Sequence, residues 1–132
     1  MQHLVPKAWF GTLVIISSLA LFGSCKKDAG DGESSTKAAQ YQVRGQVKLL
    51  PTASSNEIEI HHEAMPDFVN QRGKKTGMVA MVMPFFLAEG LSLANIAVGD
   101  IVAFTLDVDW NRKPVLQITA IEELPADTEL SL

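Results

Sequence analysis

The chain is poor in cysteine, in positive charge and in apolar runs of membrane-spanning length, and each shortage removes a class of protein. One cysteine, Cys25, occurs in 132 residues, so a disulfide framework is excluded and everything after Cys25 lacks a thiolate metal ligand. Eleven basic residues stand against fifteen acidic ones, for a formal charge of −4. A nucleic-acid binder needs a basic face, and this balance argues against one. The apolar run from Ala8 to Phe22 is broken by Gly11, Thr12, Ser17 and Ser18. It falls short of the ~20 apolar residues that a bilayer span requires. There is no internal repeat, and the length suits one domain.

What is present at the start is a basic residue, Lys7, then the short apolar core, then Gly23, Ser24 and Cys25. That order is the signature of a secretory signal over residues 1–24. The segment F-G-S-C also resembles the bacterial lipobox, with Phe22 where leucine is usual. The resemblance implies that Cys25 is lipidated and becomes the first residue of the mature protein. Lys26 rather than aspartate follows it, which by similarity to Gram-negative lipoproteins implies the outer membrane, facing the periplasm. Residues 26–40 are charged or small without apolar periodicity and read as a flexible tether.

From Tyr41 the pattern alternates. Tyr41, Val43, Gly45, Val47 and Leu49 interleave with Gln42, Arg44, Gln46 and Lys48, the period of a half-buried strand. A turn around Pro51 leads to a second strand over residues 57–62. A third is expected from Val79 to Leu87, a fourth from Val102 to Trp110 and a fifth from Val115 to Ile121. Residues 91–100 read as one short helical turn, and the tail, 125–132, is expected to be unordered beyond Leu124. Asp107 and Asp109 are expected outward on a solvated face. The fold expected over 41–124 is all-β, a five-stranded antiparallel barrel of OB type, because closure covers the edges of so small a sheet. A flat sandwich or an open meander is the alternative.

The chemistry concentrates between residues 58 and 86, which hold His61, His62 and four of the five methionines: Met65, Met78, Met81 and Met83. Alternation turns His62 inward with Ile58 and Ile60, and His61 outward with Glu57 and Glu59. Met81 and Met83, two apart on one strand, share a face. Two readings fit these residues. Methionines fill irregular gaps in cores, and an inward histidine is often structural. Equally, thioethers and imidazole are soft to borderline donors that select Cu(I), with Ag(I) by analogy, over hard cations.

The motifs I-H-H-E at 60–63, M-x-M-P-F at 81–85 and V-G-D-I-V-A-F-T-L at 98–106 resemble the CusF family of periplasmic copper and silver chaperones. The similarity spans roughly residues 41–124. It implies an OB-type barrel that holds one Cu(I) or Ag(I) through His62, Met81 and Met83, without enzymatic activity. Family members cap the metal with a tryptophan three residues before the first methionine, and here that position is Met78. Met78 is therefore a candidate fourth ligand or a shield. It could reach the ion only if the third strand starts after it, with Gly77 allowing the turn. The H-E-A-x-P-x-F-V, G-M and M-x-M-P-F sequence looks like a branch associated with SCO/SenC-type copper delivery, so the implied partner is a copper donor or acceptor of the cell envelope, of that type or an efflux component. The protein itself is expected to be a monomer.

Other motifs fall away. D-V-D-W-N at 107–111 begins like an EF-hand loop, but Arg112 stands where glycine is needed and Ile118 where glutamate is needed. HHEAM lacks the second histidine of the zinc-protease helix. The competing functional class is an OB-type binding or envelope-assembly module in which the methionines are core.

Overall fold

The computed structural model describes residues 38–132. The expected signal, Cys25 and most of the tether lie outside the described residues. Five strands follow one another: β1 (Ala39–Leu49), β2 (Glu57–His62), β3 (Met81–Leu87), β4 (Ile101–Val108) and β5 (Leu116–Glu123). They close into a barrel in the order β1-β2-β3-β5-β4. Four of the neighbouring pairs are antiparallel, and β3 with β5 is parallel. The wholly antiparallel barrel expected from sequence is corrected here for a geometric reason. Strand direction cannot alternate all the way round a closed ring of five, so one pair must run in parallel.

Alternation decides the interior. Val43 and Val47 of β1, Ile58 and Ile60 of β2, Phe85 and Leu87 of β3, and Val102, Phe104, Leu106 and Val108 of β4 are buried together with Ile118 of β5. Phe85 and Phe104 meet in a tilted contact, 5.4 Å between ring centroids. Phe68 leaves its loop to join the core, between Tyr41 at 5.5 Å and Trp110 at 6.3 Å. At about 25 cal/mol per Å² of apolar surface removed from water, such side chains supply most of the drive to fold.

Gly45 is a point of close approach between β1 and β2. It pairs with His62, and a Cβ there would lie 2.6 Å from the His61 carbonyl oxygen and 2.6 Å from Ile60 Cγ2. No other residue fits that approach without moving β2.

Several boundaries differ from expectation. β3 begins at Met81, not Val79, because the backbone bends at Ala80. Residues 91–100 run as successive hydrogen-bonded turns, with Leu91 N–H donating to the Ala88 carbonyl, Ile96 to Leu93 and Asp100 to Ala97. Asp107, expected outward, is only 9% exposed and lies under the Arg112 guanidinium at 2.8 Å. Its ion pair offsets the cost of removing the carboxylate from water. The tail also returns to the barrel, where Ser131 N–H donates to Glu63 Oε1 at 2.8 Å. Among the described residues no helix is long and apolar enough to cross a membrane.

Candidate metal centre at the end of the β2–β3 ladder

β2 pairs with β3 over the whole length of β2, and the ladder ends on His62 opposite Met81, with Ile60 opposite Met83. The same-face residues of β3 sink gradually, from Met81 at 44% exposed, through a half-buried Met83, to a buried Phe85. The strand thus enters at the rim and descends into the core. His62 itself is completely buried. Strand parity placed it inward correctly, and His61 stands on the opposite face, across from Val82.

The two nitrogens of His62 differ. Nδ1 lies 2.7 Å from the carbonyl oxygen of Glu63. A carbonyl can only accept, so Nδ1 carries the proton and Nε2 is left with a lone pair. Nε2 is buried and has no hydrogen-bond partner. A buried polar atom left unpaired costs about 1–3 kcal/mol. One face of the ring is accounted for by Phe85, edge-on at 5.8 Å. Hydrogen bonding one ring nitrogen to a backbone carbonyl while the other stays free is how proteins aim an imidazole at a metal.

Met78 and Met65 form the next layer. They make an isolated bridge that continues the β2–β3 register three residues beyond His62 and Met81. Met65 N–H donates to the Met78 carbonyl at 2.8 Å and Met78 N–H to the Met65 carbonyl at 2.9 Å. Residues exchanging both bonds project to the same side. Met65 is 5% exposed, and Met78 is half-buried against the same core. Because β3 starts after the bend at Ala80, Met78 is released from the parity that would have turned it away. Gly77 supplies the turn, with φ at +67° and the Pro66 carbonyl oxygen 3.3 Å from where a Cβ would stand. Only glycine adopts that backbone freely.

The donor set at this end of the barrel is therefore one bare imidazole nitrogen and the thioethers of Met81 and Met83 on the same face, with Met78 in the adjoining layer. Among the described residues, no three histidine, cysteine, aspartate or glutamate side chains gather as a metal-binding group. Imidazole and thioether are borderline to soft donors, types that suit Cu(I) better than Mg(II) or Ca(II). Trp110, the tryptophan of the described chain, is engaged with Phe68.

Sequence reasoning missed Glu63 and Arg44. Arg44 donates from Nε to Glu63 Oε2 and from Nη2 to Glu63 Oε1, both at 2.9 Å. The pair follows from the β1–β2 register, since Arg44 and Glu63 extend it one step past Gly45 and His62. No local pattern could have shown this.

No protein-family model matches the chain, and no curated protein is similar to it in sequence. Solved structures are similar in fold. Apo-CusF from Escherichia coli matches with a TM-score of 0.52 at 20% identity, over 73% of this chain and 100% of that one. CusF-Ag(I) from Escherichia coli matches with a TM-score of 0.48 at 21% identity, over 68% of this chain and 98% of that one. At these identities the likeness is one of fold: a five-stranded OB-type barrel.

Proposed function

We propose that this protein is an extracytoplasmic metallochaperone or copper-tolerance lipoprotein that holds one Cu(I) or Ag(I) ion as cargo and passes it to a partner. His62 Nε2, Met81 and Met83 hold the ion, and Met78 serves as a fourth donor or as a shield. One observation carries the reading: the buried, partnerless Nε2 of His62 directly across the ladder from Met81. A metal would give that atom the partner it lacks. Neutral thioethers beside it suit a soft monovalent ion and survive an oxidising compartment in which thiols pair off.

The exposure of Met81 supports cargo over a resident cofactor. A ligand that is 44% exposed leaves an approach for an incoming donor atom, so the ion can be handed over without opening the barrel. Binding and release then make up the whole activity, with no chemical step. The partner is a copper donor or acceptor of the cell envelope, of SCO/SenC type or an efflux component, and lipidation at Cys25 would keep the protein at the membrane beside it. The fold shared with apo-CusF accords with this reading.

One observation favours a second reading, an OB-type module with methionine as core. A groove of about 560 Å³ runs between Gln40–Arg44 and Glu63–Asp67, room enough for part of a peptide or glycan. The two separate in one experiment. The full chain in detergent micelles is incubated with Cu(I) and a competing chelator, then weighed by native mass spectrometry, with Zn(II) in parallel. One retained Cu(I) and no Zn(II) supports the chaperone. Stoichiometric Zn(II) without Cu(I), or no metal at all, sinks it.

A further inference from the structure

The hydrogen bond of the His62 ring goes from Nδ1 to one backbone atom, the Glu63 carbonyl oxygen at 2.7 Å. Glu63 follows the last residue of β2, at the point where β1 and β2 part. A peptide just past the end of a ladder is free to rotate unless something else holds it. Here the holding is done from three sides. Glu63 N–H donates to the Arg44 carbonyl at 2.9 Å. The Arg44 guanidinium grips the carboxylate with both prongs at 2.9 Å. Ser131 N–H, from the tail, donates to Oε1 at 2.8 Å.

As a surface ion pair this arrangement would mean little, because Arg44 is 47% exposed and such pairs contribute little to stability. The Glu63 side chain, however, is only 14% exposed, and it receives donors from both the β1 strand and the far end of the chain. Bidentate, charge-assisted bonds fix geometry as well as energy. The outcome is a fixed direction for one carbonyl, and through it a fixed tautomer for one imidazole.

We propose that Arg44, Glu63 and the tail at Ser131 form a positioning unit for His62, holding the Glu63 carbonyl on Nδ1 so that Nε2 stays the bare donor atom. These are positioning residues, and none of them would touch the ion. The purpose of the unit rests on the metal reading above, while its geometry does not. The tail thereby becomes part of the site, although Ser131 is far from His62 in sequence.

The test uses the full chain in detergent micelles, with ¹⁵N in the histidines. Long-range ¹H–¹⁵N correlation spectra read the His62 tautomer in the metal-free protein, and chelator competition reads Cu(I) affinity on the same samples. Wild type should show the Nδ1–H form alone. Glu63→Ala should add the Nε2–H form and weaken Cu(I) binding about tenfold, the scale on which the partners of metal ligands act. Ser131→Pro, which removes the donor N–H from an exposed tail residue, should move both readouts the same way by less. Ser131→Ala keeps the N–H and should match wild type. If Glu63→Ala fails to fold, the contrast between Ser131→Pro and Ser131→Ala decides. An unchanged tautomer in the folded variants, or equal effects of the two Ser131 changes, overturns the proposal. If wild type retains no Cu(I), the metal reading falls, and the tautomer spectra still judge this one.

Discussion

His62 and Met81 are direct partners across the β2–β3 ladder, yet one is wholly buried and the other is 44% exposed. Their pairing puts a buried imidazole and a partly exposed methionine on the same face at the end of the ladder. A soft ion bound there would be anchored on its inner side and approachable on its outer side.

Replacing any of His62, Met81 or Met83 by alanine should lower Cu(I) affinity by at least about a hundredfold, beyond the range seen for partners of metal ligands. His61→Ala should leave it within a factor of a few, since His61 faces away from that surface. Competition with a coloured Cu(I) chelator measures all four. Were His61→Ala the damaging change of the two histidines, the register of β2 would be off by one residue.

Met78 can be tested by counting sulfurs. X-ray absorption on the Cu(I) form should find three sulfurs if Met78 joins Met81 and Met83, and two if it only excludes water. Met78→Leu keeps the apolar bulk and removes the sulfur. Wild-type affinity in that variant would retire Met78 as a ligand and leave a three-residue site.

Gly45→Ala should destabilise the fold by about 1–3 kcal/mol, the usual cost of forcing extra atoms into a closed contact. The added methyl would meet backbone of β2 at 2.6 Å as well as the Ile60 side chain. Since the strain falls beside His62, Cu(I) affinity should drop too. Urea unfolding gives the first quantity, and an unchanged midpoint would mean that β2 yields more easily than its packing implies.

Cys25→Ser should move the protein out of the membrane fraction, as a soluble or uncleaved form. Metabolic labelling with a fatty acid is the direct check. Wild type without label would remove the anchor from the proposed function and leave the barrel chemistry untouched.

Much of the candidate site was legible before folding, for a specific reason. Whether a side chain in a strand points in or out depends on parity alone. His62 with Ile58 and Ile60, and Met83 with Phe85 and Leu87, could therefore be assigned from spacing. The pattern failed where another force overrode it. Asp107 has the outward parity of Ala103 and Thr105 on β4, and its charge also suggested solvent, yet it is buried beneath the guanidinium of Arg112, a partner that alternation cannot reveal. β3 is shorter than expected because the backbone bends at Ala80, and Met78 lies before that bend in an isolated bridge to Met65.

The sequence by itself determined five strands, the inward turn of His62 and the shared face of Met81 and Met83, because these are local consequences of a two-residue period. Only the tertiary structure decided which residues meet. That His62 opposes Met81, that β3 closes on β5 in parallel, and that Arg44 and Ser131 converge on Glu63 all depend on register between segments far apart in the chain. Register is set by burying the apolar faces together while the ring of strands closes, and no single stretch of sequence carries that information.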